Sequence, residues 1–219
     1  LSDGPPEELL SEHVIPLVLA AGRGKRMGMP KALLDLGGVS ALDRVLTTAA
    51  GAELGPPIVV LGFGAERVVP LILARGKRPP RVRWIANPDP ERGQTSSVQA
   101  GLAALPPAAS AVALWPVDHP LIEIEDLRAL VTTARARPEC PVVLPSHMGR
   151  AGHPALLRRT LFPAILALAP ETPLRDFLRT ERARTAFVER PTDSVLVDLD
   201  TPADLEAARQ RLRAEDGQA

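Results

Sequence analysis

From residue 20 to residue 31 the chain reads Ala20-Ala21-Gly22-Arg23-Gly24-Lys25-Arg26-Met27-Gly28-Met29-Pro30-Lys31. Three glycines allow the backbone to come close to a ligand and to turn its N–H groups toward it. Arg23, Lys25, Arg26 and Lys31 place four cations within nine positions. Amides and cations combined in this way suit a polyanion such as a triphosphate. Two commoner glycine motifs do not match. The dinucleotide fingerprint needs a third glycine where Met27 stands, and no acidic residue follows the second apolar run to hold a ribose. The P-loop needs Gly-Lys followed by Ser or Thr, whereas Gly28 is followed by Met29 and Pro30. The glycines alone leave a solvated basic turn as the alternative.

Asp118 follows an apolar run at 111–115 and precedes Pro120. A carboxylate at the end of a central strand, stiffened by proline, suits Mg²⁺, which takes one or two carboxylates together with phosphate oxygens. A turn or helix cap is the plainer role for it. Gly93-Gln94-Thr95-Ser96-Ser97 leads into a helical pattern. Free N–H groups at such a start can receive polar atoms of a ligand, or be capped by Thr95 or Ser96.

These groups need elements to hold them. Apolar runs at Val14–Ala20, Ile58–Leu61, 82–85 and 111–115 read as buried strands, with weaker ones at 142–144 and 195–197. Helical spacing appears at 41–50 after Ser40, at Ala65–Ala74, 97–105 and 124–135, and at 202–213 after Thr201, with Pro202 at the first helical position. Alternating strands and helices predict a three-layer, Rossmann-like α/β fold, its sheet mostly parallel with helices on both faces. Ligands of such sheets lie outside the carboxyl ends of the strands. That points to Gly22 onward, 62–64, 87–93 and 118–120.

The 219 residues suit one α/β domain, and 45% hydrophobic with 24% charged residues is an ordinary globular balance. Lys+Arg and Asp+Glu are both 26, which argues against broad nucleic-acid or membrane-surface binding. Aromatics at 3% argue against stacking platforms for single strands. Cys140 is the only cysteine, so no intramolecular disulfide forms, and a cytoplasmic setting is expected. No apolar run approaches the roughly 18 residues that span a bilayer. Residues 1–13 lack the order of a signal peptide and are expected to be a loose leader. Residues 14–213 are expected to form a single domain and 214–219 a tail.

The loop pattern Ala20-Ala21-Gly22-x-Gly24-x-Arg26-Met27-Gly28-x-Pro30-Lys31 resembles the signature of the MobA-like NTP transferases, and among them most the molybdenum cofactor cytidylyltransferases. The resemblance implies the nucleotide-diphospho-sugar transferase-like fold. It places Leu19, Ala20 and Ala21 beside the base and wraps Gly22, Arg23, Gly24 and Lys25 round the phosphates. Arg26 and Lys31 become the matching charged catalytic positions. The segment from Asn87-Pro88 to Gly101-Leu102 is similar to one that lines the family's nucleotide pocket, which implicates Gly93, Ser96 and Ser97. Asp118-His119-Pro120 matches the element whose aspartate binds Mg²⁺, with His119 in place of the usual glutamine. Gly152-His153-Pro154 matches a segment near the acceptor, which assigns His153, with Asn87 and the loop at 170–174, to acceptor binding. As a class, a lone histidine is more often structural.

Asp198-Leu199-Asp200-Thr201-Pro202 is the last match. On a strand end Asp198 and Asp200 would point to one side, and Asp200, beside the helix start, is expected to complete the Mg²⁺ shell. The plainer alternative is capping, with Asp200 or Thr201 serving only to start the last helix. The resemblance runs from about residue 17 to 205. It implies transfer of CMP from CTP to a phosphorylated acceptor, the molybdopterin cofactor, with transient contact to a molybdoenzyme or its chaperone. Guanylyl transfer, a sugar-phosphate or methylerythritol-phosphate acceptor, and non-catalytic nucleotide binding are the rival readings.

Overall fold

The computed structural model describes residues 13–76 and 80–216. The expected leader, apart from His13, and the last three residues of the expected tail lie outside the described residues. Among those described, eight strands form one sheet. They are β1 (Val14–Ala20), β2 (Ile58–Leu61), β3 (Arg83–Ala86), β4 (Ala111–Pro116), β5 (Val142–His147), β6 (Arg150–Ala151), β7 (Ala155–Arg158) and β8 (Thr185–Glu189). Their order is β3-β2-β1-β4-β7-β5-β6, with β8 paired to β5. β1 to β4 are mutually parallel, while β7 runs antiparallel between β4 and β5.

Among the described residues, seven α-helices accompany the sheet: α1 (Ala41–Gly51), α2 (Ala65–Ala74), α3 (Gln94–Ala103), α4 (Ile124–Ala136), α5 (Phe162–Leu166), α6 (Leu174–Thr180) and α7 (Pro202–Asp216). They cover both faces, which is why β1 is apolar without interruption. Ile15, Leu17 and Leu19 pack with Val98 and Leu102 of α3 and with Phe162 and Ile165 of α5. Val18 and Ala20 face Leu42, Val45 and Leu46 of α1 and Val68 and Ile72 of α2. Gly101 lets α3 come close to this strand, since a Cβ there would stand 2.5 Å from a Leu17 methyl.

Several boundaries differ from the sequence reading. β3 lies one residue later than expected, and α3 begins at Gln94, because Gly93 at φ 99° ends the preceding turn. The run at 195–197 is not a strand; the chain there forms a 3-10 turn over Asp193–Leu196. Ser194 gives its hydroxyl to Asp126, and the Val195 carbonyl accepts the His153 N–H, so these groups are used outside any ladder. α7 continues to Asp216, through residues expected to be tail. No described helix is long and apolar enough to cross a membrane.

Leu17 is fully buried in the central strand. Leu17→Ala is expected to cost about 2–5 kcal/mol, as buried leucine truncations do, measured as a loss of unfolding free energy in urea. A cost near zero would contradict this placement of the core.

Candidate active site

The loop after β1 folds back on itself. The Met27 N–H donates to the Gly24 carbonyl at 3.0 Å. Gly24 takes φ +58°, and a Cβ there would lie 2.0 Å from the Met29 carbonyl oxygen, so position 24 admits only glycine. The loop ends on Pro30, which packs against Gly64 after β2. Lys31 opens a 3-10 turn over Lys31–Leu33, anchored by buried Ala32 and Leu34. With its backbone fixed in this way, Lys31 turns its side chain toward the end of β4.

There it meets two carboxylates. Lys31 Nζ lies 2.8 Å from Asp118 Oδ2 and also donates to Asp200 Oδ1. Arg26 Nη1 reaches Asp200 Oδ2 at 2.8 Å. The pair Lys31 and Asp118 is about four-fifths buried, at 19% and 23% exposure, while Asp200 stands at 38%. Burial works to lower the Lys31 pKa, but hydrogen bonds to Asp118 and Asp200 outweigh it and raise the pKa above the usual lysine value. The hydrogen bond from Lys31 lowers the Asp200 pKa.

Asp118 is held by its surroundings. The Val117 N–H donates to the Leu19 carbonyl at 3.0 Å, which carries the β1–β4 pairing up to the site. The Trp115 indole N–H donates to the His119 carbonyl at 2.9 Å and closes the turn that presents the carboxylate. The Leu199 N–H donates to the Asp118 carbonyl at 2.9 Å, drawing in the segment that carries Asp200. Asp204 then accepts from the Asp200 and Thr201 N–H groups at 3.1 and 2.7 Å and starts α7. Thr201 Oγ1 in turn accepts the Asp204 N–H at 3.3 Å, so Thr201 and Asp204 together cap α7, and the Asp200 side chain is left to Lys31 and Arg26.

A cleft of about 560 Å³ opens over the carboxyl ends of β1, β2 and β4. Leu19, Ala20, Ala21, Gly22, Arg23, Gly24, Lys31, Gly93, Ser97 and Asp118, all expected at the site, line it. Arg26 and Asp200 join through Lys31. Lys25, Ser96, Asn87 and His153 do not line the cleft. Asn87 is buried and gives its side-chain amide to Ser96 Oγ at 2.8 Å and Ser97 Oγ at 2.9 Å, holding the end of β3 to α3. His153 packs on His119 with ring centroids 4.5 Å apart. Gly152 allows this, since a Cβ there would be 2.3 Å from the Val195 carbonyl oxygen.

Sequence reasoning missed Phe63, Glu91 and Gln94, which also line the cleft. Phe63 sits in the flagged 62–64 stretch, and its ring lies 3.8 Å beneath the Arg23 guanidinium. Among the described residues, no group of three or more His, Cys, Asp or Glu could hold a metal. Asp118 and Asp200, gathered on one ammonium, are the two carboxylates that could hold a hard cation, which would need its remaining oxygens from substrate or water.

A parallel core ending in a glycine loop after β1 and a carboxylate after β4, joined by a second carboxylate from the lead into α7, is the arrangement of a nucleotidyltransferase of the nucleotide-diphospho-sugar transferase fold. The chain belongs to the MobA-like NTP transferase domain family, which matches residues 16–186. It is 30% identical to the purine catabolism protein PucB of Bacillus subtilis over 211 residues, covering 92% of this chain and 98% of PucB. It is 36% identical to the bifunctional protein GlmU of Mycolicibacterium vanbaalenii over 131 residues, 58% of this chain, but spans only 27% of GlmU. The crystal structure of Rv0371c from Mycobacterium tuberculosis superposes with a TM-score of 0.74 at 24% identity, covering 90% of this chain and 98% of that one. Rv0371c has also been solved as a complex with manganese, at a TM-score of 0.70.

Burial, and then the neighbouring His119, push the His153 pKa down to about 4. The folded state therefore binds fewer protons at this position than the unfolded state between pH 6.5 and pH 4. The resulting penalty is absent above pH 6.5, grows as pH falls, and is complete below pH 4, at about 3 kcal/mol. Wild-type stability relative to His153→Gln is expected to fall by about that amount between pH 7 and pH 4 in urea titrations. Parallel pH profiles would contradict the burial of this ring.

Proposed function

We propose that this chain transfers CMP from CTP to a phosphorylated acceptor, the molybdopterin cofactor, with release of pyrophosphate. The observation that carries the reading is the meeting of Asp118 and Asp200 on Lys31, 87 and 169 residues away in sequence, at the edge of a glycine-loop cleft. The loop amides, Lys31 and Arg26 hold the triphosphate and offset the charge that develops on the leaving pyrophosphate. The acceptor phosphate, already anionic at neutral pH, attacks the α-phosphorus in line. This needs no activated side-chain nucleophile; the chain's task is to hold two anions in register.

Asp118 and Asp200 would hold Mg²⁺, and the Lys31 ammonium already marks a point where both carboxylates accept one positive charge. When bound, the ion supplies further positive charge against the phosphate oxygens. The preference for CTP is supported by Ala21, where a guanylyltransferase of the group more often carries glycine. The Ala21 methyl fills the cleft floor so closely that Gly62 beside it has no room for a Cβ, which would fall 2.8 Å away. The molybdopterin acceptor rests on the resemblance of the Gly152-His153-Pro154 segment, whose imidazole packs on His119, next to Asp118, outside the cleft lining.

Pyrophosphate release across the four NTPs, with molybdopterin, sugar-phosphate and methylerythritol-phosphate acceptors, tests the reading. Turnover is expected with CTP and molybdopterin in the presence of Mg²⁺. Asp118→Asn is expected to lower kcat by about a hundredfold or more, and Lys31→Ala to raise KM for the nucleotide. Turnover with GTP alone, or with a sugar phosphate alone, would replace the substrate assignment. Wild-type rates in Asp118→Asn would remove the metal assignment.

A further inference from the structure

Glu91 is out of place in a cleft built for a polyanion. It lies on the 3-10 turn Pro90–Arg92 between β3 and α3 and lines the cleft beside Gly93 and Gln94. A carboxylate in that position repels a triphosphate unless a cation covers it. Arg23 does so: its Nη2 donates to Glu91 Oε1, while its guanidinium lies 3.8 Å over the Phe63 ring. Arg23 belongs to the glycine loop after β1, Phe63 to the end of β2, and Glu91 to the turn after β3. The contact thus ties three consecutive strand ends across the cleft. Phe63 is itself fixed to the base of the glycine loop, its N–H donating to the Ala21 carbonyl at 3.2 Å.

Both charged partners are substantially exposed, Arg23 at 45% and Glu91 at 67%. Pairs of that kind are weak and break readily when a better partner arrives. The other cleft cation, Lys31, is held more deeply by two carboxylates. Of the two cations that line the cleft, Arg23 is therefore the one that a triphosphate can recruit at the lower cost.

We propose that Glu91 and Phe63 hold Arg23 in a parked position across the cleft mouth and that the nucleoside triphosphate takes Arg23 from Glu91 on binding, which makes Glu91 a positioning residue that sets nucleotide affinity. The inference rests on the reading of this cleft as the NTP site. A scaffolding role for the pair predicts that its loss weakens nucleotide binding; parking predicts the opposite sign.

Calorimetric titration of the full chain with CTP and Mg²⁺, beside kcat from pyrophosphate release, separates them. Glu91→Gln is expected to lower the nucleotide Kd by about fivefold and to leave kcat unchanged. In an Arg23→Met background the same substitution is expected to change nothing, because Glu91 acts through Arg23. Glu125→Gln, the same charge change on α4 where Glu125 pairs with Arg128, is expected to leave Kd at the wild-type value. An unchanged or raised Kd in Glu91→Gln overturns the proposal. So does a gain that persists without Arg23, which would make Glu91 a direct repeller of phosphate. A wild-type protein that binds CTP and releases no pyrophosphate with any acceptor sinks the transferase reading and leaves the parked arginine standing. CTP that does not bind sinks both.

Discussion

Two carboxylates and one ammonium, brought together at the carboxyl end of the central strands, are the constraint on which the remaining architecture depends. Asp118 and Asp200 are like charges brought to close range, and a cation between them offsets their repulsion. Lys31 supplies it, with Arg26 on the outer side of Asp200. Each member arrives from a different part of the fold: Lys31 from the turn after the glycine loop, Asp118 from the end of β4, and Asp200 from the lead into α7. Holding three such groups in register requires rigid carriers, and the hydrogen bonds from Val117 to Leu19, Trp115 to His119 and Leu199 to Asp118 provide them.

The same logic explains a buried ion pair outside the cleft lining. Asp126 is completely buried, yet it accepts from Arg190 Nε at 2.6 Å and Ser194 Oγ at 2.9 Å, and it caps the start of α4 through the Glu123 N–H. A charge so placed costs several kcal/mol in desolvation and is tolerated only when fully hydrogen-bonded. Its effect is to fasten the turn at 193–196, from which the chain continues directly into Leu199 and Asp200. Fold and site are therefore joined by specific polar contacts as well as by the apolar packing of β1 between two helical layers.

Much of this was legible in the residues. The uninterrupted apolar run at 14–20 follows from burial on both faces, and the glycines and cations after it mark the loop; Gly24 needs its positive φ and Gly28 adopts one too. Asp118 was found because an apolar strand ended in a carboxylate. The 3-10 turn at 193–196 was not legible, since three apolar residues read alike in a strand and in a turn whose polar groups are satisfied by Asp126 and His153. β8 was missed because its apolar stretch is only Ala186-Phe187-Val188 between Thr185 and Glu189, and on this outer strand Phe187 is exposed while Ala186 is buried. Phe63 and Glu91 each carry little local signal. Their role comes from Arg23, 40 and 68 positions away, and no periodicity along the chain encodes that meeting.

The central claim is that the polyanion and its metal share the point marked by Lys31. Crystals grown with CTP and Mn²⁺ and measured at the manganese absorption edge test it most directly. The account predicts one anomalous peak between the Asp118 and Asp200 carboxylates, with the triphosphate against the amides of the loop at 22–28. An anomalous peak and a triphosphate away from these residues would contradict it.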